Sequence, residues 1–257
     1  MIKLGKVVKI INVKNKDKFY LRKVGNSSKI FEDHLGNVIR TTDILDKEYG
    51  LFINGYLITK PSIDDFILYY WKRKTQIVYP KDASYIISKM GINYKSNVLE
   101  IATGSGAMTL FLARSLYPSG KVISIEKNFD FLKNAVQNII DFDLTYDTDY
   151  RSVIDFLASD RLIFLRKNRF DAVFLDIPFP EKMIEHLNEL KISTSFLICV
   201  VPTVNQVASF IRAIQEDYID IDVEEIILRK YKPNPDRLRP VDTMVAHTCY
   251  VISAKKI

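Results

Sequence analysis

Asn97-Val-Leu-Glu-Ile-Ala-Thr-Gly-Ser-Gly106 runs as a short apolar strand that ends in an acid and turns through glycines straight into a helical pattern, Ala107 to Leu116. Gly104 and Gly106 lack side chains, so a ligand can approach the backbone there, and Ser105 completes the turn. A β–turn–α unit of this kind suits an adenosine-bearing cofactor. The dinucleotide fingerprint asks for a third small residue where this chain has Thr109, which counts against NAD. S-adenosylmethionine carries no phosphate and needs acids instead, one for its amino group and one for its ribose.

Acids of that kind recur at strand ends. Glu100 closes the first run, and Glu126 follows Lys121-Val-Ile-Ser-Ile125, where its carboxylate can accept both ribose hydroxyls. Asp160 follows Ser152-Val-Ile-Asp-Phe-Leu157, and Asp176 follows Asp171-Ala-Val-Phe-Leu175. Helical patterns at Ala107 to Leu116 and Phe129 to Ile140 separate the runs. The alternation predicts an α/β fold, a doubly wound, Rossmann-like parallel sheet of the class I S-adenosylmethionine-dependent methyltransferases, with its ligand beyond the strands' carboxyl ends. Taken singly, each acid also reads as a solvated loop carboxylate, and Glu100 as a group that orients the glycine turn.

With 257 residues, 47% of them hydrophobic, the chain can bury one full α/β core and carry a small accessory domain. The net charge is +6, and residues 1–60 hold 12 Lys plus Arg against 6 Asp plus Glu, so this window supplies the whole excess. A basic module beside a neutral enzyme suits a polyanion, and an ordinary Lys-rich surface has the same composition. Cys199 and Cys249 lie far apart in apolar runs, and His34, His186 and His247 form no cluster, so no metal is expected. With no secretory core at Met1-Ile-Lys-Leu-Gly5 and no run of membrane-spanning length, the expectation is a soluble cytoplasmic protein without membrane contact.

Residues 1–60 alternate apolar and polar positions between Gly and Asn turns, and Asn54-Gly55 between Leu51-Phe-Ile53 and Tyr56-Leu-Ile58 is the strongest hairpin signal. The expected division is a small basic β domain over 1–60 and a methyltransferase domain over 61–257. Ser62-Ile-Asp-Asp-Phe66 predicts a capped helical turn, and Asp82 to Met90 a helix. The acidic stretch Asp141 to Arg151 reads as a loop, Phe196 to Val201 as a fifth strand and Val204 to Glu216 as a helix. Strand-like runs Val223 to Arg229 and Thr248 to Ala254 bracket the basic, proline-rich Lys230 to Pro240.

Asp176-Ile-Pro-Phe-Pro180 follows the fourth strand directly. Its two prolines stiffen a loop whose carbonyls, with the Asp176 carboxylate, are acceptors for the amino group of an adenine. Methylation at adenine N1 makes a cationic ring, and a neighbouring carboxylate stabilises that charge as it develops. Phe179 and Tyr79 are candidates to stack on the base, and core packing is the plain alternative for both.

Four stretches together resemble the tRNA (adenine-58-N1)-methyltransferases: Arg73 to Asp82, Val98 to Gly106, Phe174 to Pro180 and Arg239 to Thr248. The resemblance spans roughly residue 60 to the C-terminus. It implies S-adenosylmethionine as donor, the T-loop adenine at position 58 of tRNA as acceptor, with position 57 as a further candidate, and a homotetramer. Matched motif by motif, it implies that Gln76, Val78, Gly104, Ser105 and Gly106 line the donor pocket and that Glu126 binds its ribose. It further implies that Asp160 meets its adenine, that Asp176 is the catalytic acid, and that Arg239 and His247 lie near the substrate. His247 reads equally as a loop-ordering or a core residue. Three departures stand out: Ala102 where the family has glycine, which then requires a negative φ, Glu181 where it has tryptophan, and Ala246 where it has glycine. They leave room for an exocyclic-amine methyltransferase of RNA or DNA, or a non-catalytic tRNA-binding paralogue.

Overall fold

The computed structural model describes every residue except Lys16. Contacts divide the chain into two compact units, one of Met1–Arg73 with Val136–Arg151, the other of Lys74–Ala135 with Ser152–Ile257.

The first unit carries β1 (Val7–Asn12), β2 (Phe19–Lys23), β3 (Lys29–Glu32), β4 (Val38–Arg40), α1 (Thr41–Ile44), β5 (Leu51–Ile53), β6 (Tyr56–Thr59) and α2 (Ile63–Asp65). Strands β2-β1-β6-β5 form an antiparallel sheet, and β3 pairs with β4. Alternation puts Val8 and Ile10 of β1 inward, against Phe31, Ile39, Tyr56 and Ile58. The β5–β6 hairpin turns at Asn54 and Gly55 with φ of 49° and 84°, the positive pair that a two-residue turn demands. Ser62 caps α2 through a capping box with Asp65.

The second unit carries α3 (Pro80–Met90), β7 (Asn97–Ile101), α4 (Ala107–Leu116), β8 (Lys121–Glu126), α5 (Phe129–Tyr146, which continues into the first unit), β9 (Ile154–Ala158), β10 (Arg169–Leu175), α6 (Pro180–Glu189), β11 (Ser193–Val201), α7 (Val204–Ile214), β12 (Tyr218–Glu224), the two-residue strands β13 (Tyr231–Lys232) and β14 (Arg239–Pro240), and β15 (Tyr250–Lys256). The sheet order is β12-β15-β11-β10-β7-β8-β9, parallel from β11 through β9, with β15 antiparallel to both its neighbours. Leu99, Ile101, Val173 and Leu175 share a buried cluster with Ile184 and Leu187 of α6 and Val207 and Phe210 of α7. The alternate position Glu100 meets Thr109 of α4, so helices cover both faces. The chain leaves β7 for β8 on one side and returns to β10 on the other, and that reversal opens a crevice at the strands' carboxyl ends.

Three expectations are corrected. The acidic run after Ile140 is not a loop from Asp141, because α5 continues to Tyr146. There Asp141 accepts from Lys23 Nζ at 2.6 Å and Tyr70 Oη at 2.9 Å, while Phe142 stacks on Tyr146 at 4.2 Å, so tertiary partners carry the helix through residues of poor helical pattern. The strand expected at Val223 to Arg229 lies earlier, at β12. Its Asp220 and Asp222 pair with Lys255 and Lys89, so acids held by ion pairs disguised an edge strand. The charge excess is not localised: the first unit holds 15 Lys plus Arg against 12 Asp plus Glu, the second 22 against 19. Lys6, Lys9 and Lys23 pair with Asp147, Asp65 and Asp141, acids from beyond residue 60.

Candidate active site

A cavity of about 710 Å³ opens over the carboxyl ends of β7, β8 and β10, a volume in the range of small-molecule sites. Gln76, Val78, Glu100, Gly104, Ser105, Glu126, Asp160, Asp176 and Phe179 all line it. A second cavity of about 180 Å³ shares Gln76, Val78 and Asp176 with the first and adds Tyr79, Asp82, Thr248 and Cys249. Asp176 is thus common to both walls.

The glycine turn is built by short-range bonds. The Ala102 and Thr103 amides both donate to the Ile125 carbonyl, which ties the end of β7 to β8, and the Gly106 amide donates to Thr103 O at 2.9 Å. Gly104 has φ +56°, and a Cβ there would lie 2.8 Å from Thr75 Oγ1. Gly106 has φ +83°, and its Cβ would lie 2.9 Å from that of Ala135. What approaches these two glycines is therefore protein, and Gly106 sits below the turn rather than in the cavity wall. Ser105 Oγ accepts from the amides of Lys74 and Thr75, both at 3.0 Å, which locks the Gln76 to Val78 segment beside the turn. Ala102 has φ +74°, not the negative φ expected of it, so an alanine occupies the left-handed region at the head of the turn.

Glu100 and Glu126 have different surroundings. Glu100 is wholly buried, and its Oε2 accepts from Thr109 Oγ1 at 2.7 Å and Ser124 Oγ at 2.6 Å, while Oε1 has no partner among the described residues. Burial pushes its pKa up to about 8 against the two hydroxyls, which pull it down. Thr109, the residue that spoiled the dinucleotide pattern, is thus the anchor of the strand-end acid. Glu126 accepts the Gly104 amide at 3.0 Å on Oε2 and the Asn128 amide at 2.9 Å on Oε1. One lone-pair direction on each oxygen remains for a pair of hydroxyls.

Asp160 is exposed and follows β9, past a Ser159 turn in which Ser159 Oγ donates to Arg161 O. Asp176 presents its surface to the cavities, yet enough protein surrounds it that burial pushes its pKa up to about 6. Its amide donates to Ile101 O, which ties it to β7. The loop carbonyls are not all unpaired: Gln206 Nε2 donates to Pro178 O at 3.0 Å, which leaves the Ile177 carbonyl as the available acceptor among the described residues. Phe179 is exposed, with Lys182 Nζ 5.1 Å from its ring. Tyr79 is half-buried, and its hydroxyl accepts from Gln76 Nε2 at 3.2 Å.

Two expected substrate residues lie outside both cavities. Arg239 pairs with Asp242. His247 bridges Glu225 Oε1 at 2.6 Å and the Pro202 carbonyl at 2.9 Å, and these two acceptors raise its pKa and favour the doubly protonated ring. Glu181 falls in the first turn of α6, where an acid suits the helix dipole. Sequence reading missed Thr75, Thr103, Ser124 and Gln206, whose roles come from hydroxyl and amide bonds between segments remote in sequence. Cys199 and Cys249 are free thiols, and burial pushes the second up to about 12. Among the described residues no metal-ligand cluster occurs, and no helix is long and apolar enough to cross a membrane.

A doubly wound sheet with strand-end acids around one crevice is the architecture of the S-adenosylmethionine-dependent methyltransferases. Within that class, the chain belongs to the family described as the tRNA methyltransferase complex GCD14 subunit, whose model matches residues 68–256. A relative from Methanocaldococcus jannaschii, the tRNA (adenine(57)-N(1)/adenine(58)-N(1))-methyltransferase TrmI, is 26% identical over 87% of this chain and 88% of its own. Among solved structures, the tRNA (m1A58) methyltransferase TrmI from Aquifex aeolicus is 30% identical with a TM-score of 0.82, over 100% of this chain and 98% of its own. A structure from Thermotoga maritima, described as a SAM-dependent O-methyltransferase, is 32% identical with a TM-score of 0.85, over 100% and 94%.

Proposed function

We propose that the protein transfers the methyl group of S-adenosylmethionine to N1 of adenine 58 in the T-loop of tRNA, with adenine 57 as a second acceptor. The observation that carries this reading is the single carboxylate, Asp176, common to a cavity of donor size and one of base size.

The residues present fit the donor. The free lone pairs of Glu126 match two ribose hydroxyls, the orphaned Oε1 of Glu100 matches an ammonium group, and Asp160 is exposed to an adenine edge. When bound, S-adenosylmethionine supplies an electrophilic methyl on a sulfonium. The smaller cavity seats the acceptor base, with Tyr79 in its wall and Phe179 at the rim of the larger one. Asp176 and the Ile177 carbonyl accept from the adenine amino group, which turns N1 toward the donor. As N1 gains its methyl substituent, positive charge spreads over the ring, and the Asp176 carboxylate offsets it. The T-loop base is turned out of its stack to reach the site, at a cost of about a few kcal/mol.

In this reading residues 61–257 carry the transfer and the β-rich residues 1–60 contact tRNA, within a chain whose net charge is +6. The working form is a homotetramer in the cytoplasm, and light scattering tests the assembly. Transfer to an oxygen is the second reading, favoured by the likeness to the Thermotoga maritima O-methyltransferase structure. Incubation with labelled donor and unmodified tRNA, then nucleoside digestion and mass spectrometry, separates the two. 1-Methyladenosine is the expected product, and a ribose-methylated or N6-methylated nucleoside overturns the proposal.

A further inference from the structure

Lys81 and Asp82 in the first turn of α3 form an ion pair at 2.7 Å, with the Asp82 side chain wholly out of solvent. All three hydrogens of the ammonium are engaged, by Asp82 Oδ1 at 2.7 Å, the Ile226 carbonyl at 2.6 Å and the Thr248 hydroxyl at 2.7 Å. Thr248 in turn donates its own proton to Asp82 Oδ2 at 2.8 Å. The ring is closed: the ammonium has no hydrogen left for a phosphate, and each carboxylate oxygen has a donor.

This ring joins α3 to two segments 145 and 167 residues away in sequence. Ile226 lies where the chain departs after β12, and Thr248 lies where it returns before β15. The residues between them are nearly all exposed, and at the base of that excursion the ring stands beside one other tie, the His247 bridge to Glu225 and the Pro202 carbonyl. Asp82 and Thr248 also line the smaller cavity beside Asp176 and Cys249, whereas Lys81 does not. A buried ion pair adds little to stability compared with apolar residues of equal volume, so its value here is geometric.

We propose that Asp82 is a positioning residue for methyl transfer: clamped by Lys81 and Thr248, it fixes the wall of the acceptor cavity that it shares with Asp176. The inference rests on the adenine-methylation reading. A base misplaced by about 1 Å from its attack geometry can lose about 10²-fold in rate. The ring makes no bond to Glu100, to the glycine turn or to Glu126, so donor affinity is expected to change less than the rate of transfer.

Thr248→Val keeps the shape and removes both hydroxyl bonds, and Thr248→Ser keeps the hydroxyl. Both are compared with Lys81→Met and Asp82→Asn for transfer to unmodified tRNA at saturating donor, and for S-adenosylhomocysteine affinity by calorimetry. Thr248→Val is expected to lower kcat tenfold or more with the dissociation constant changed less than twofold, and Thr248→Ser to recover to within twofold of wild type. Lys81→Met, whose side chain is outside the cavity wall, is expected to reproduce the kcat loss. If the two charge variants fail to fold, the Thr248 pair decides. Turnover of Thr248→Val within twofold of wild type overturns the inference, as does a loss of kcat accompanied by loss of S-adenosylhomocysteine binding. Absence of transfer by the wild-type protein overturns the adenine-methylation reading and this inference with it.

Discussion

The two cavities that meet at Asp176 are built in different ways. The glycine-turn wall of the larger cavity, the proposed donor side, is assembled from residues close in sequence, with Glu100, Gly104 and Thr109 inside one strand–turn–helix and Glu126 at the end of the neighbouring strand. The smaller cavity, the proposed acceptor side, draws Asp82, Asp176 and Thr248 from three remote segments, and a ring of charged and hydroxyl bonds joins Asp82 to Thr248. A local frame needs only backbone geometry and a few hydroxyls, whereas a frame from distant segments needs specific long-range bonds. Substitutions on the two sides should therefore separate donor binding from methyl transfer.

The largest effect is expected at the shared carboxylate. Asp176→Asn keeps the shape and removes the charge that offsets the developing cation, so kcat should fall by about 10²–10³, the range for loss of one electrostatic stabiliser. S-adenosylhomocysteine binding measured by calorimetry should stay within threefold of wild type, and a parallel loss of both would merge the two sides into one.

Next in size is Glu126→Ala, which removes the acceptor of the Gly104 and Asn128 amides together with the acceptors proposed for two hydroxyls. At about 1.5–3 kcal/mol for a hydrogen bond to a charged group, donor affinity should weaken by about 10²-fold, readable in the same calorimeter. Rates at saturating donor should change far less. A kcat loss as deep as that of Asp176→Asn would contradict the division.

The pH dependence should separate the sides again. Burial pushes both acids above their ordinary values, Glu100 up to about 8 and Asp176 up to about 6. Each is therefore protonated in the folded state below its own value and ionised above it. Transfer at saturating donor should rise as pH increases through about 6, and donor affinity should rise as it increases through about 8. The sign for stability is opposite: the folded state holds protons that the unfolded chain has released, so without donor the protein should lose stability between about pH 4.5 and 8. Flat profiles for either quantity would remove the corresponding acid from its role.

The smallest effect concerns the head of the glycine turn. Ala102 at φ +74° carries left-handed strain of about 1–2 kcal/mol. Glycine gives back about 0.5–1 kcal/mol through the freedom it gains in the unfolded chain. Ala102→Gly should raise the melting temperature by about 2–4 °C for a chain of this size, measured by calorimetry with donor affinity unchanged. A fall would mean that the alanine methyl packs usefully.

The same contrast explains what was legible in the sequence. The donor side could be read because apolar runs ending in Glu100, Glu126 and Asp176 and a Gly-x-Gly turn are local signals, and the sheet followed from their alternation. The role of Thr109 could have been read too, since a hydroxyl in the helix after a strand-end acid has that acid within reach. The end of α5 and the start of β12 were hidden because their acids are satisfied by lysines elsewhere in the chain. The basic character of residues 1–60 dissolved for the same reason once acids from 65 and 141–147 folded onto it. No local pattern joins Asp82 to Thr248 across 166 residues.

The central claim is that the acceptor atom is a ring nitrogen of a purine held beside Asp176. It is tested most directly with a tRNA whose adenine 58 is replaced by 1-deazaadenine, which keeps the amino group and ring shape and lacks only N1. The account predicts that this tRNA binds within a few-fold of the natural one and accepts no methyl at that base. Methyl transfer to the deaza base or its ribose at the natural rate would contradict it.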